Sequence, residues 1–405
     1  MSSHKYLAWF VSLDTPLALN ALFNNHHDLI EKFCNSFEKV YLVNFSKLKF
    51  FSNKEHIQQE FDKKFKKPKN MEFVNPKNTN DFKNFMKEKE LIAVNTIGRQ
   101  LKNLKIHFLL ARHNIKQIQI SNIGNIQAYD KQKFFSLRSL IYKLDHDFSH
   151  KLFVFLSNFK LVPKIEIRFF TNSNIIKYSK IGFIRKFLKR FNLLYAKELI
   201  LINSRSFDIF KENKFKIDET HIVLLDLNLE HHEEVRLHGH QSSRNIEKHY
   251  SHLNKFLQKL SNLYNKKIII CIHPTADLDK TKKYFPNYEV VKYKTRENIY
   301  EAFIVLYFVT SAIVDALLLK KRIISLYSNY NNESILSTNL KESITYGILR
   351  MNIDEEIKIE KNELLMQLDN CIKNYSDYIK SDIAPDGDNL GYKKMIRIVK
   401  ERFFS

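Results

Sequence analysis

The segment KIIICIHP, residues 267–274, decides the predicted fold. Its uninterrupted apolar residues are typical of a strand that is buried on both faces of a parallel sheet. Residues 245–263 precede it and repeat apolar side chains at helical spacing, and residues 221–227, HIVLLDL, form another apolar run. A strand, a helix and a second strand in this order predict a βα unit of a parallel sheet.

The same alternation continues towards the C-terminus. Apolar runs predict strands at residues 288–292, 304–309 and 322–326. Helical patterns predict helices at residues 296–303, 312–319 and 355–380, the last as one or two helices. A loop that contains proline and glycine then leads to a basic helix at residues 392–404.

The N-terminal half alternates less clearly. Apolar runs predict strands at residues 6–13, 40–45, 91–96 and 115–120. Residues 51–90 are rich in Lys and Asn, which predicts a polar insertion or a long loop, and residues 131–200 have a mostly helical pattern. Within the latter, residues 177–199 predict a basic amphipathic helix, which either docks on an anionic membrane leaflet or packs on the core with a solvated basic face.

These patterns predict an α/β protein with two Rossmann-like domains that face a central cleft. We expect an N-terminal domain with helical insertions at residues 1–204, a second domain at residues 205–385 and a basic helix at residues 386–405. The length of 405 residues is enough for two or three domains.

The composition is strongly basic. Lys and Arg total 66 against 44 Asp and Glu, which gives a formal net charge of +22. This surplus favours an anionic partner, namely nucleic acid, an anionic membrane surface or a phosphorylated substrate, although an AT-rich genome would also enrich Lys. Because the charge is dispersed and no RRM, KH, zinc-finger or helix-turn-helix signature is present, we expect no nucleic-acid partner.

Several classes of protein are excluded. Three Cys without a CxxC pair exclude a disulfide framework and a Cys-based zinc module, and they indicate a reducing compartment. The seven Gly form neither GxGxxG nor GxxxxGK[ST], which excludes the dinucleotide fingerprint and the P-loop. Because the sequence shows no signal peptide and no apolar run of about 18 residues, we expect a cytoplasmic protein.

Two short motifs stand where strands are predicted to end. His273 and Pro274 follow the strand at residues 267–272, and Thr310 and Ser311 follow the strand at residues 304–309. Ligands of open parallel sheets bind beyond the carboxyl ends of the strands, where an imidazole and hydroxyl groups can hold a phosphate. The alternative is structural, with a His that merely ends a strand and hydroxyls that cap a helix.

A third group of residues follows the strand at residues 221–227. The stretch LLDLNLEHHEE contains Asp226 and His232, either of which could deprotonate an acceptor hydroxyl as a general base. A metal site is the competing interpretation. Adjacent His and Glu lack the i,i+4 spacing of HExxH, so we expect no metal.

At this point the sequence resembles a known family. Residues 222–327 are similar to the C-terminal half of GT-B-type glycosyltransferases of bacterial surface polysaccharides, in particular the sialyl-, polysialyl- and Kdo-transferase-like enzymes that use CMP-sugars. Those families have an HP motif followed by a Ser-Ser/Thr motif, matched here by His273-Pro274 and Thr310-Ser311. Their later KPII strand is matched by KKRII at residues 320–324, with Arg322 in place of Pro.

Two further matches extend the resemblance. Asp226 and His232 fit the LD…HPD stretch of nonulosonate-transferase-like proteins, and Lys294-Thr295 precede a helix as the pattern requires. The Asp-Asp/Glu-Gly base motif of the sialyltransferases has no counterpart in the corresponding part of this chain. The resemblance therefore leaves two candidate bases, Asp226 first and His232 second.

The resemblance implies GT-B architecture and transfer of an acidic nonulosonate, such as a sialic-acid-like sugar or Kdo, from a CMP-sugar to a surface glycan. The donor would be held by His273, Pro274, Thr310, Ser311 and Thr295, and His273 would stabilise or protonate the departing phosphate. Neither a cofactor nor a metal is expected. The acceptor would be a glycan or a lipid-linked glycan, with peripheral contact to the anionic inner membrane face.

The N-terminal half offers one candidate acceptor loop. Asn122, Gly124 and Asn125 follow the predicted strand at residues 115–120, where a plain turn is the alternative. Three other functions stay open. They are a UDP- or GDP-sugar transferase or CDP-polyol-phosphate transferase of the same fold, a basic nucleic-acid-binding protein, and a non-catalytic scaffold.

Overall fold

The computed structural model describes residues 6–11, 27–48, 67–87, 89–97, 101–121, 152–153, 155–157, 159–171, 196–213, 218–227, 229, 245–274, 276–358 and 360–405. The chain divides into two compact domains at Arg205. The first contains the described residues up to 121, those from 152 to 205, and Pro385–Ser405; the second contains Ser206–Ala384.

The first domain is built on a sheet of seven parallel strands in the order β3-β2-β1-β4-β5-β6-β7. The strands are β1 Tyr6–Val11, β2 Lys39–Asn44, β3 Met71–Val74, β4 Leu91–Asn95, β5 Lys116–Ser121, β6 Ile165–Phe170 and β7 Ala196–Leu201. The strand order reverses between β1 and β4, as in doubly wound Rossmann-like sheets.

The second domain repeats this plan with six parallel strands in the order β10-β9-β8-β11-β12-β13. The strands are β8 His221–Leu225, β9 Lys267–Ile272, β10 Glu289–Lys292, β11 Ala302–Tyr307, β12 Arg322–Tyr327 and β13 Leu349–Asn352. Here the order reverses between β8 and β11.

Helices connect the strands. In the first domain they are α1 (residues 27–34), α2 (Thr79–Met86) and α3 (Leu104–Arg112), and α4 (Arg205–Glu212) begins at the domain boundary. In the second domain they are α5 (Ile246–Tyr264), α6 (Leu278–Tyr284), α7 (Thr295–Tyr300), α8 (Ile313–Leu318), α9 (Glu333–Tyr346), α10 (Lys361–Ile372) and α11 (Tyr375–Tyr378). The last helix is α12 (Gly391–Phe403).

The apolar runs become strands because both of their faces are covered. In β1, Leu7 and Trp9 belong to one core cluster, while the intervening Ala8 and Phe10 belong to another. The side-chain period of two in a strand produces this separation. The second sheet behaves alike, since Ile222 and Leu224 pack with helix α5 in one cluster while Val223 and Leu225 lie in a second.

The predicted fold class, two parallel-sheet Rossmann-like α/β domains, is confirmed. Two segment predictions were wrong for the residues that the structure describes. In residues 51–90, expected as a polar insertion or a long loop, the described part contains β3 and α2. In residues 131–200, expected to be mostly helical, the described part contains β6 and β7. Strands β3 and β7 lie at the two edges of the sheet and are only partly buried, so they lack the apolar run of a central strand.

The remaining second-domain predictions hold at the level of elements, but helices α4, α6 and α9 and strand β13 were not predicted. Helix α9 and strand β13 fill residues between the last predicted strand and the predicted helix at residues 355–380. Of the basic amphipathic helix predicted at residues 177–199, residues 177–195 lie outside the described residues, and from Ala196 the chain forms β7.

The C-terminal helix α12 is part of the first domain's core. Its Met395, Val399 and Phe403 are buried in the cluster that also contains Trp9 of β1. The ring of Phe404 lies 4.9 Å from that of Phe37. A basic amphipathic helix here buries its apolar side against a sheet and exposes its charges.

Asn203 fixes the turn that leads into α12. Its Nδ2 donates to the carbonyls of Gly387 and Asn389, both at 2.7 Å, and its Oδ1 accepts from the amide of Asp386 at 2.7 Å. The residue is fully buried. These hydrogen bonds join the segment that follows β7 to the turn before α12. Because Asn203 is buried, water cannot replace them.

We expect Asn203→Ala to lower the free energy of unfolding by about 2–3 kcal/mol, because it leaves buried backbone groups unsatisfied. Urea unfolding would measure the loss, and limited proteolysis should show earlier cleavage near α12. Asn213→Ala is the matched control, since the exposed side-chain amide of Asn213 donates to the carbonyl of Ile209 within its own helix end. Equal stability of the two variants would contradict the role given to Asn203.

Within the described ranges, no helix has both the length and the apolar character needed to cross a membrane. All three Cys are free thiols, and burial raises the pKa of Cys34 and of Cys271 to about 12.

Candidate functional site

The carboxyl ends of the second sheet's strands form the candidate site. All six strands are parallel, so their carboxyl ends lie at one edge, and ligands of such sheets bind where the strand order reverses. Polar residues follow the strands that flank the reversal. Asp226 follows β8, His273 follows β9, and Thr310 comes shortly after β11.

Asp226 lies at the reversal itself. In β8, Leu225 pairs with Cys271 of β9 on one side and with Tyr307 of β11 on the other. The amide of Asp226 donates to the carbonyl of Cys271 at 3.0 Å, which continues the ladder by one residue. The side chain is buried, with 8% of the residue exposed. A carboxylate in this position is poised between the two halves of the sheet.

His273 is exposed at the end of β9. Its carbonyl accepts from the amide of Ala276 at 2.9 Å, which closes the turn. The hydroxyl of Tyr293 donates to the carbonyl of Pro274 at 3.4 Å, and Nζ of Lys292 donates to that of Ala276 at 2.8 Å. The loop is therefore tied to the end of β10, while the imidazole stays accessible to solutes.

Thr310 and Ser311 form the turn between β11 and α8. The Oγ1 atom of Thr310 accepts from the amide of Ala312 at 3.3 Å, so this hydroxyl does take the structural role considered from the sequence. Its proton is left to donate elsewhere. Ser311 is exposed, and its hydroxyl is accessible from solvent.

Thr295 opens α7 after β10 and is half-buried. The next residue, Arg296, donates from Nε to Oδ2 of Asp315 on α8 at 3.1 Å, and Asp315 is 8% exposed. This ion pair joins the helix that carries Thr295 to the helix that follows Ser311. Sequence reasoning missed it, because neither residue belongs to a recognisable motif.

The described predicted residues, namely Asp226, His273, Pro274, Thr295, Thr310 and Ser311, therefore follow strands of one sheet at the same edge. His232, Asn122, Gly124 and Asn125 lie outside the described residues. The roles assigned to all of these residues stay predictions. Among the residues that the structure describes, no three His, Cys, Asp or Glu side chains come together as metal ligands would.

A further polar group at this edge was not predicted. Ser328 follows β12, Asp354 lies just beyond β13, and the carboxylate of Asp354 bonds both to Ser328 and to His252 of α5. These residues are far apart in sequence, and strand β13 itself was not predicted. Only the folded chain brings them together.

Comparison with known proteins concerns the fold alone. No family model and no curated protein matches the sequence. Among solved structures, Arabidopsis thaliana UGT89C1 complexed with UDP aligns at a TM-score of 0.50 and 8% identity, covering 99% of this chain and 100% of that one.

Two bacterial structures align equally well. S. aureus MnaA in complex with UDP has a TM-score of 0.50 and 11% identity, over 98% of this chain and 96% of its own. A Listeria monocytogenes protein assigned as a UDP-N-acetylglucosamine 2-epimerase has a TM-score of 0.50 and 11% identity, over 100% of this chain and 97% of its own. The chain thus has the two-domain Rossmann-like fold of these proteins, and the resemblance to CMP-sugar transferases stays a prediction.

Proposed function

We propose that this protein is a glycosyltransferase that uses a nucleotide sugar, with the nucleotide's phosphates bound at the carboxyl edge of the second sheet. The observation that carries the proposal is the placement of an imidazole, two hydroxyls and a carboxylate on loops that flank the reversal of strand order. Parallel sheets bind nucleotides at this place. The surplus of 22 positive charges suits an anionic donor.

A UDP-sugar is the first donor to test. Two of the three aligned structures contain UDP, and the third is assigned to an enzyme of a UDP-sugar. The CMP-sugar donor, such as a nonulosonate, rests on the HP and Ser/Thr motifs of the sequence. The two donors differ in the leaving group, which is a diphosphate for UDP-sugars and a monophosphate for CMP-sugars.

In the proposed reaction, an acceptor hydroxyl forms a bond to the anomeric carbon while the bond from that carbon to the phosphate oxygen breaks. The acceptor's proton passes to the carboxylate of Asp226. The electron pair leaves with the phosphate, whose negative charge is stabilised by His273 and by the hydroxyls of Thr310 and Ser311. The loops would therefore act mainly by stabilising the negative charge on the departing phosphate.

We expect UDP to raise the free energy of unfolding by about 2.7 kcal/mol at a concentration 100 times its Kd. Thermal unfolding with UDP, CMP, CDP and GDP, each at the same concentration, would rank the nucleotides. Ser311→Ala should reduce the shift by removing one phosphate contact. Greater stabilisation by CMP would favour the nonulosonate donor, and no shift with any nucleotide would contradict the proposal.

Epimerisation of the sugar on the same nucleotide is the second candidate, favoured by the alignment with the Listeria protein. It predicts a different product from the same site. Incubation with UDP-N-acetylglucosamine and chromatography of the products would separate the two. Release of UDP supports transfer to an acceptor or to water, whereas an isomeric UDP-sugar supports epimerisation.

A further inference from the structure

Helix α5 carries a histidine to the carboxyl edge of the second sheet. The Nδ1 atom of His252, in the second turn of this helix, lies 2.9 Å from Oδ1 of Asp354, which follows β13. The imidazole side chain is 31% exposed, and the carboxylate side chain is 8% exposed. The buried carboxylate of Asp354 thus holds the imidazole of His252, which is partly exposed to solvent.

The hydrogen bonds of Asp354 determine which ring atom faces outward. Ser328 Oγ donates to Oδ1 and Oδ2 at 3.0 and 3.1 Å, and the amide of Asn329 donates to Oδ2 at 2.6 Å. A carboxylate that accepts from these groups also accepts from His252, so Nδ1 carries a proton. The ring nitrogen that can meet a ligand is therefore Nε2.

The strand register places this pair beside the candidate phosphate loop. Tyr307 of β11 pairs with Ser325 of β12, and Thr310 and Ser328 each lie three residues beyond that pair. Neighbouring strands are about 4.8 Å apart, so the two loops leave the sheet side by side. The ring of His249, one turn before His252, lies 5.3 Å from that of Phe308, which directly follows β11.

The described surroundings of the ring contain one acidic group and a second imidazole. Among the residues that the structure describes, the titratable groups that face His252 include Asp354 from the turn after β13, Tyr330 from the loop after β12 at a ring separation of 5.5 Å, and His249 from its own helix. Burial lowers the pKa of His249 to about 4, so at neutral pH this second imidazole adds no opposing charge.

We propose that His252, oriented by Asp354, is a phosphate-binding residue whose protonated ring donates from Nε2 to an oxygen of the nucleotide's phosphates. This inference rests on the proposed function, since it adds a contact to the same site. A purely structural role, in which His252 only joins α5 to the turn after β13, needs the Nδ1 bond and nothing from Nε2. The phosphate-binding role therefore depends on Nε2, whereas the structural role depends only on Nδ1.

The test separates the two nitrogens by substitution. His252→Asn keeps an amide donor near the position of Nδ1 and removes Nε2, whereas His252→Gln places a neutral donor near Nε2. Calorimetry measures the binding of UDP and of inorganic pyrophosphate to the full chain at pH 6. Lys255→Gln, which removes an exposed charge one turn further along α5, controls for net charge.

At pH 6 we expect His252→Asn to weaken both ligands about tenfold or more, in the range of a lost charge-assisted hydrogen bond. His252→Gln should lose less affinity than His252→Asn, because it keeps a donor near Nε2, and Lys255→Gln should bind like the wild type.

The remaining outcomes decide separately on the inference and on the proposed function. If the wild type binds UDP and His252→Asn binds it equally well at pH 6, the inference is wrong and the proposed function stands. If UDP fails to bind but pyrophosphate binding depends on His252, the nucleotide function is wrong and the phosphate subsite stands. If neither ligand binds the wild type, both are wrong. Thermal unfolding checks that each variant folds. If His252→Asn does not fold, the affinity of His252→Gln is compared with that of the wild type instead.

Discussion

Unfolding experiments between pH 6.5 and pH 8 should show this protein becoming less stable as the pH rises, by roughly 2 kcal/mol in all. The cause is Glu342 on α9, which is 2% exposed, and whose pKa burial raises from 4.5 to about 8. Between these values the unfolded chain releases a proton that the folded chain keeps, so Glu342 lowers the free energy of unfolding by about 1.4 kcal/mol per pH unit. Below pH 6.5 the buried His249, whose pKa is lowered to about 4, opposes this slope, because there the unfolded chain binds a proton that the folded chain does not.

The surroundings of Glu342 explain the shift. Tyr307 and Tyr346 are fully buried in the core cluster on this side of the second sheet. Within the described part of the chain, Oε2 of Glu342 has no hydrogen-bond partner. A carboxylate there would be costly, whereas the protonated acid is tolerated.

Glu342→Gln should abolish most of the slope. The variant has nearly the same shape without a titrating proton, so we expect wild-type stability near pH 5 and higher stability than the wild type at pH 8. Denaturant unfolding at each pH measures this. Glu363→Gln, at an exposed site on α10, should keep the wild-type slope. A slope in Glu342→Gln equal to that of the wild type would show that another group is responsible.

His273→Ala should lower the turnover of the nucleotide sugar about 100-fold or more, in line with the contribution of a general acid or a charge-stabilising donor. The side chain is exposed at the end of β9, and its loop is held by bonds from Lys292 and Tyr293. Substitution by Ala therefore removes a functional group from the carboxyl edge of the second sheet and leaves the packing of the core unchanged. The unfolding temperature should change little.

A neutral substitution divides the two contributions of His273. His273→Gln keeps a hydrogen-bond donor but cannot supply a proton, so it should recover part of the loss if binding of the phosphate dominates. Lys280→Ala, an exposed charge removed from α6, controls for electrostatics in the same region. Turnover of His273→Ala within twofold of the wild type would remove this residue from the mechanism.

The central strands of both sheets were predictable because burial on two faces demands apolar runs. KIIICI became β9 and HIVLL became β8 with little shift of their ends. The edge strands β3 and β7 were not predictable by that criterion, because only part of their surface is buried. In β6, IEIRFF alternates apolar and polar residues, a strand signal that the expectation of a helical region overrode.

The candidate site also contains some residues that could be predicted from the sequence and others that could not. His273, Thr310 and Ser311 could be named from the sequence because each comes at or shortly after the end of a strand with a strong apolar signal. The bond between His252 and Asp354 could not, since it joins the middle of a helix to a turn after a strand with the half-buried pattern of LRMN. Contacts between such distant segments have no local pattern, and only the sheet order specifies them.

The burial of α12 against β1 has a consequence for biosynthesis. A ribosome releases the strands of the first domain early, yet Met395, Val399 and Phe403 are translated only after the whole of the second domain. The nascent chain must keep an incomplete apolar surface around Trp9 until these residues are made, while the second domain already has every segment it needs to fold. The domain that is begun first is therefore completed after the second.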